Sequence, residues 1–136
     1  MGLFGDLKKY LAEGRLLKVG DSWTEEEFKA FYSAMLVVAS TSGSLHQDEK
    51  EVISKEVNFV VTLNRKANGY VPSNWKDFIE SATNLKREVF SKTLKKMSKL
   101  KKNIVLEALS DIIKAGQGLD DRKTISTFEF LKTFLK

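Results

Sequence analysis

Five lysines, Lys92, Lys95, Lys96, Lys99 and Lys102, fall on one arc when residues 86–102 are read as a helix. Val89, Phe90, Thr93, Leu94, Met97 and Leu100 fall on the other. Such an arc is either a solvated helix face or a surface that tracks phosphates of nucleic acid or anionic lipid. No helix-turn-helix spacing and no set of stacking aromatics accompanies it, so sequence-specific reading of DNA is not expected. The chain has one histidine, His46, and no cysteine. This composition rules out disulfides, thiolate metal sites, a cysteine nucleophile and any site needing two histidines. Gly116-Gln117-Gly118 lacks the Gly-Lys-Ser/Thr ending and the preceding strand of a phosphate loop. No two carboxylates share an apolar setting that would separate their proton affinities. No active site and no enzyme are expected.

The elements that carry these residues read as helices throughout. Residues 3–11 place Leu3, Phe4, Leu7, Tyr10 and Leu11 on one face. That face docks on the protein's own core or lies in a membrane interface. Thr24 and Glu27 form a capping box, and three acids in the first turn suit the helix dipole. Phe28, Phe31, Tyr32, Met35, Val38 and Ala39 follow at helical spacing, up to a stop at Ser42-Gly43 where glycine takes a positive φ. Ser44 and Gln47 offer a second capping box for a helix over about 45–64, whose charged flanks outweigh its β-branched content. Asn68-Gly69 marks a turn, and Ser73 or Asn74 caps a short helix with Trp75, Phe78, Ile79 and Ala82. Trp23 and Trp75 read as core edges. The arc over 85–100 ends near Leu100 because Lys101 would fall on its apolar side. A helix over about 103–115 carries Ile104, Val105, Ala108, Leu109, Ile112 and Ile113. Asp120 caps a last helix with Ile125, Phe128, Leu131, Phe134 and Leu135. The expected fold is all-α, a single compact bundle of about seven helices. Met35, Leu36, Val38, Ile53, Val57, Leu109 and Ile112 are expected inside it.

The chain of 136 residues has 42% hydrophobic residues, enough for one domain with its own core. Its net charge of +5 permits weak attraction to anionic surfaces without requiring it. The most apolar run, Ala34 to Ala39, is far short of the roughly 20 residues of a membrane span. The first residues lack the apolar core and cleavage site of a signal peptide, and Asp6 stands where myristoylation wants Ser or Thr. A cytoplasmic protein is expected, with a peripheral position on the inner membrane face as an extension of that reading.

The segment Met35-Leu-Val-Val-Ala-Ser-Thr-Ser-Gly-Ser-Leu-His-Gln-Asp-Glu-Lys resembles the signature of the TerB-like, or tellurite-resistance, family. That signature is a buried helix, then Asp-Gly, any residue, an apolar residue, three more and a Glu. Ser42 takes the Asp position, Gly43 the Gly, Leu45 the apolar position and Glu49 the Glu. Residues 1–8 look like the family's short N-terminal helix. Gly118-Leu119-Asp120-Asp121 resembles its second copy of the motif, which makes Ala39–Glu51 and Ile112–Lys123 a loose pseudo-repeat. The resemblance implies an all-helical, bacterial, cytoplasmic and non-enzymatic module. It also implies a link to tellurite resistance and stress response, acting through protein partners or the membrane face. A divalent metal held by Asp48, Glu49, Asp120 and Asp121 is implied as well, with Ser42 and the cations Arg122 and Lys123 as departures from the pattern. Read by themselves, Asp48 and Glu49 are acids at a helix start, worth about 0.3–1 kcal/mol each against the dipole. One copy alone supplies too few oxygens for a hard cation, so a metal needs both copies face to face.

Overall fold

The computed structural model describes residues 22–41, 47–116 and 122–136. They form six helices, with no strand among the described residues: α1 (Glu25–Ala39), α2 (Gln47–Lys66), α3 (Trp75–Thr83), α4 (Arg87–Lys96), α5 (Lys99–Ala115) and α6 (Arg122–Lys132). The helix expected over 3–11, the Ser44 and Asp120 caps and the Gly43 stop lie outside the described residues.

Helix α1 is the axis of the fold and touches all five others. Its sequence explains why. Phe28, Ala30, Phe31, Ala34, Met35, Val38 and Ala39 are all buried, so apolar or small side chains face nearly every direction. Small Ala30 and Ala34 let neighbours approach closely. Helix α2 packs along α5, where Ile104, Val105, Ala108, Leu109, Ile112 and Ile113 are buried as their spacing predicts. Leu36 and Val57, expected inside, are only half-buried.

The expected caps at Thr24 and Asn74 both form. Thr24 Oγ1 accepts from Glu27 N at 3.1 Å, and Glu27 Oε1 accepts from Thr24 N at 2.9 Å. Asn74 Oδ1 accepts from Asp77 N at 3.2 Å and starts α3. Asn68 takes the left-handed conformation, φ 56°, at the expected turn. Gly69 follows it closely packed, because an added Cβ would lie 2.9 Å from Ser22 Cβ.

One boundary differs from expectation. The helix read over 85–100 breaks at Met97, whose ψ of 155° is extended. Ser98 then caps α5 by accepting from Lys101 N. Lys101 lies toward the interior because its charge is paired there. Its Nζ donates to Glu27 Oε1 and to Ser22 O, each at 2.9 Å, and sits 5.8 Å above the Trp23 ring. The capping acid of α1 is thus also the partner that lets a lysine of α5 enter the core edge.

Two buried polar groups complete the frame. Asn64 is fully buried and holds the start of α1: its Oδ1 accepts from Trp23 N at 2.8 Å, and its Nδ2 donates to Trp23 O at 2.9 Å and Tyr70 O at 2.7 Å. Ser33 Oγ donates to Ala82 O and ties α1 to α3.

Candidate functional site

The break at Met97 splits the lysine arc. Lys92, Lys95 and Lys96 belong to α4 and Lys99 and Lys102 to the first turn of α5, which corrects the reading of one continuous helix face. Lys92, Lys95, Lys96 and Lys99 are exposed, while Lys102 is half-buried and its Nζ lies 3.3 Å from Lys136 O. Lys95 and Lys96 close the last turn of α4, where cations suit the helix dipole. The first turn of α5 holds lysines and no acid, which the dipole disfavours.

The acids of the first motif diverge. Asp48 is exposed and Glu49 is buried. Consecutive helical residues point in different directions and do not converge on one ion. Glu49 turns inward onto the end of α5, where a Cβ added to Gly116 would lie 2.6 Å from Glu49 Oε2. Asp120, Asp121 and His46 lie outside the described residues. Among the described residues no three His, Cys, Asp or Glu side chains are grouped as a metal would need. The described donors, one buried and one exposed carboxylate, do not fit a hard cation.

The described residues that flank 42–46 and 117–121 meet. Thr41 Oγ1 and Thr124 Oγ1 are hydrogen-bonded at 2.5 Å, and Glu49 packs on Gly116. Beside this contact Thr41, Arg122, Lys123, Ser126 and Thr127 line a shallow depression of about 350 Å³. Its lining carries three hydroxyls and two cations.

A second concavity was not foreseen. It lies where α1 passes between α2 and α3, and holds about 250 Å³. Tyr32 and Leu36 come from α1, Ile53 and Val57 from α2, and Trp75 and Ile79 from α3; Lys50 and Ser54 stand on the α2 side. Trp75 is 38% exposed and Ile79 is 41% exposed. Trp75 is held by an aromatic cluster, with edge-on contacts to Phe78 at 5.5 Å and Phe28 at 6.2 Å, while Phe28 and Phe78 lie 4.7 Å apart. The indole is therefore fixed on the core yet open on the groove. Tyr32 packs edge-on to Phe78 at 5.8 Å, and burial pushes its phenol above the ordinary value, so it stays neutral and a donor. Trp23, expected at a core edge, is fully enclosed at 1% exposure.

An apolar groove with a fixed tryptophan suits an apolar helix or side chain. No helix of the described residues is long and apolar enough to cross a membrane. No family model, no curated protein and no solved structure matches the chain.

Proposed function

We propose that this chain is a non-catalytic helical interaction module of the TerB-like kind. On this reading it serves a bacterial stress or tellurite-resistance system by binding protein partners. The observation that carries the reading is the groove between α1, α2 and α3. Soluble domains seldom leave a tryptophan and an isoleucine exposed side by side over a preformed apolar trough unless something binds there. Tryptophan concentrates binding energy because it buries a large area at small entropic cost. The partner chemistry that fits is an amphipathic helix presenting apolar residues at i, i+3, i+4 and i+7.

The test is site-specific photo-crosslinking in cells, with the crosslinker at Ile79 and, as a control, at Lys92. A defined protein adduct at Ile79 that is absent at Lys92 supports the module. Equal labelling at both positions overturns it.

A second reading has its own observation: four of the five lysines of the arc, Lys92, Lys95, Lys96 and Lys99, are exposed around the break at Met97. It makes the protein a weak binder of nucleic acid or anionic membrane. Titration with duplex DNA and with anionic vesicles at two salt concentrations tests it. Counterion release gives this reading a steep salt dependence, and binding that is absent at low salt removes it.

A further inference from the structure

We infer that the surface formed by α4, the first turn of α5 and residues 130–136 binds single-stranded nucleic acid without sequence preference, its lysines meeting phosphates and its Arg87–Phe130 pair meeting a base. This rests on the second reading above, narrows it to one partner, and is independent of the groove.

The positive charge of the chain is confined to this surface. The chain holds 23 basic and 18 acidic residues, and residues 86–102 hold eight of the former and one of the latter, Glu88. The segment is therefore net +7 and the remainder net −2. Lys101 is engaged by Glu27, but Lys86, Arg87, Lys92, Lys95, Lys96 and Lys99 are all exposed. A polyanion is drawn to this one place and repelled weakly elsewhere. The first turn of α5 adds to the pull, since its lysines stand at the positive end of the dipole with no acid beside them. A phosphate there offsets that repulsion.

The fold sets an aromatic pair beside this charge. Phe90, the aromatic of α4 itself, is buried. Phe130 of α6 is 42% exposed and meets Phe134 edge-on at 5.2 Å. Arg87 Cζ lies 5.4 Å from the centre of the Phe130 ring. Further along, Lys102 Nζ donates to Lys136 O at 3.3 Å. Residues 130–136 thus run beside the basic segment, tied to the start of α4 and to the start of α5. Arg87, Ser91 and Lys95 form one row on α4, so Lys95 belongs to the row whose first member meets Phe130.

This combination separates the single strand from two other anionic partners. A duplex keeps its bases stacked inside and offers the Phe130 ring no base face. An anionic bilayer takes apolar side chains into its boundary, but Phe130 carries a guanidinium at its ring, which insertion would draw toward hydrocarbon at high cost. An unpaired base stacks on an aromatic ring or on a guanidinium plane and leaves the charge in water.

Fluorescence anisotropy of the full chain with a labelled oligonucleotide of about 16 unpaired nucleotides, at about 50 and 200 mM salt, tests this. A duplex of the same length and phosphatidylglycerol vesicles are the comparison arms. The single strand should bind about tenfold tighter than the duplex or more, and weaken steeply with salt. Phe130→Leu keeps an apolar side chain at an exposed site and should fold as the parent does, which circular dichroism checks. It should weaken single-strand binding about tenfold with the salt slope unchanged. Lys95→Gln should instead lower the slope of log affinity against log salt by about 0.7. Equal affinity for duplex and single strand overturns the inference and leaves the second reading standing. Binding to vesicles alone does the same. A folded Phe130→Leu that binds the single strand as the parent does, or a Lys95→Gln with an unchanged slope, also overturns it. Absence of binding to all three at low salt removes the inference and the second reading together.

Discussion

Replacing Asn64 by alanine removes the clasp between the end of α2 and the start of α1. Asn64 is fully buried and makes three side-chain hydrogen bonds, two to Trp23 and one to Tyr70. The substitution leaves Trp23 N, Trp23 O and Tyr70 O without that partner. Each buried backbone group left unsatisfied costs about 1–3 kcal/mol. Trp23 is 1% exposed, so water reaches its backbone poorly without local opening. Partial relaxation of the Tyr70 loop, which is half-buried, brings the expected total to about 3–5 kcal/mol. That is a large share of the roughly 5–15 kcal/mol of a typical domain. Urea unfolding followed by circular dichroism should show the midpoint fall by about 1.5–2.5 M for a slope near 2 kcal/mol/M. Asn64→Asp separates the bonds: it keeps the acceptor for Trp23 N and sets a carboxylate against two carbonyls, so it should be no better than alanine. Hydrogen exchange adds a local readout, since the Trp23 amide should lose protection in both variants before the centre of α5 does. A cost under about 1 kcal/mol for Asn64→Ala would refute the clasp.

Three other outcomes follow from the packing. Gly116→Ala should destabilise by about 1–2 kcal/mol in the parent, because its Cβ would meet the Glu49 carboxylate at 2.6 Å. In a Glu49→Ala background it should be neutral or stabilising, a coupling that a double-mutant cycle by chemical denaturation reads directly. Burial raises the pKa of Tyr32, and burial together with Glu25 raises that of Tyr70, so the neutral phenols are favoured in the fold. Their contribution is therefore present below pH about 10 and lost as pH climbs above it, and Tyr32→Phe should flatten the fall in melting temperature between about pH 9.5 and 11. Calorimetric titration with calcium, magnesium and manganese should give constants no tighter than about millimolar, because Asp48 and Glu49 diverge; a micromolar constant abolished by Asp48→Ala or Asp120→Ala would restore the metal site.

The parts of the fold that were legible in the sequence are those fixed within a few residues. Thr24 and Glu27 are three apart, as are Asn74 and Asp77, and both caps form as their spacing predicts. The six apolar positions of α5 obey the helical period and are all buried, because the period alone decides which face turns inward. The break at Met97 was not legible. The apolar arc runs on through Met97 and Leu100, and Ser98 lacks the Glu three residues later that marks a capping box. Lys101 looked out of place because its partner, Glu27, is 74 positions away. Asn64 gave no signal for the same reason, its bonds to Trp23 spanning 41 positions. The candidate metal acids were readable as helix-start charges, whereas the inward turn of Glu49 depends on the end of α5 coming to rest above it.

The groove lies where the burial pattern and the packing part company. Periodicity places Leu36 and Val57 inside, with helices α1 and α2 apolar enough to be enclosed, yet both residues are half-buried. Trp75 and Ile79 share α3 with Phe78 and Ala82; the latter pair is enclosed and the former open. These four side chains line the same trough, whereas the exposed Val89 and Phe130 lie elsewhere. Isolated exposed apolar residues are ordinary on a protein surface, but a shared deficit at one place is not. At roughly 25 cal/mol per Å² of apolar area, covering even 200 Å² of that surface would yield about 5 kcal/mol before the cost of ordering the cover. A partner helix that arrives already ordered avoids most of that cost, which on the proposed reading favours such a helix as the cover.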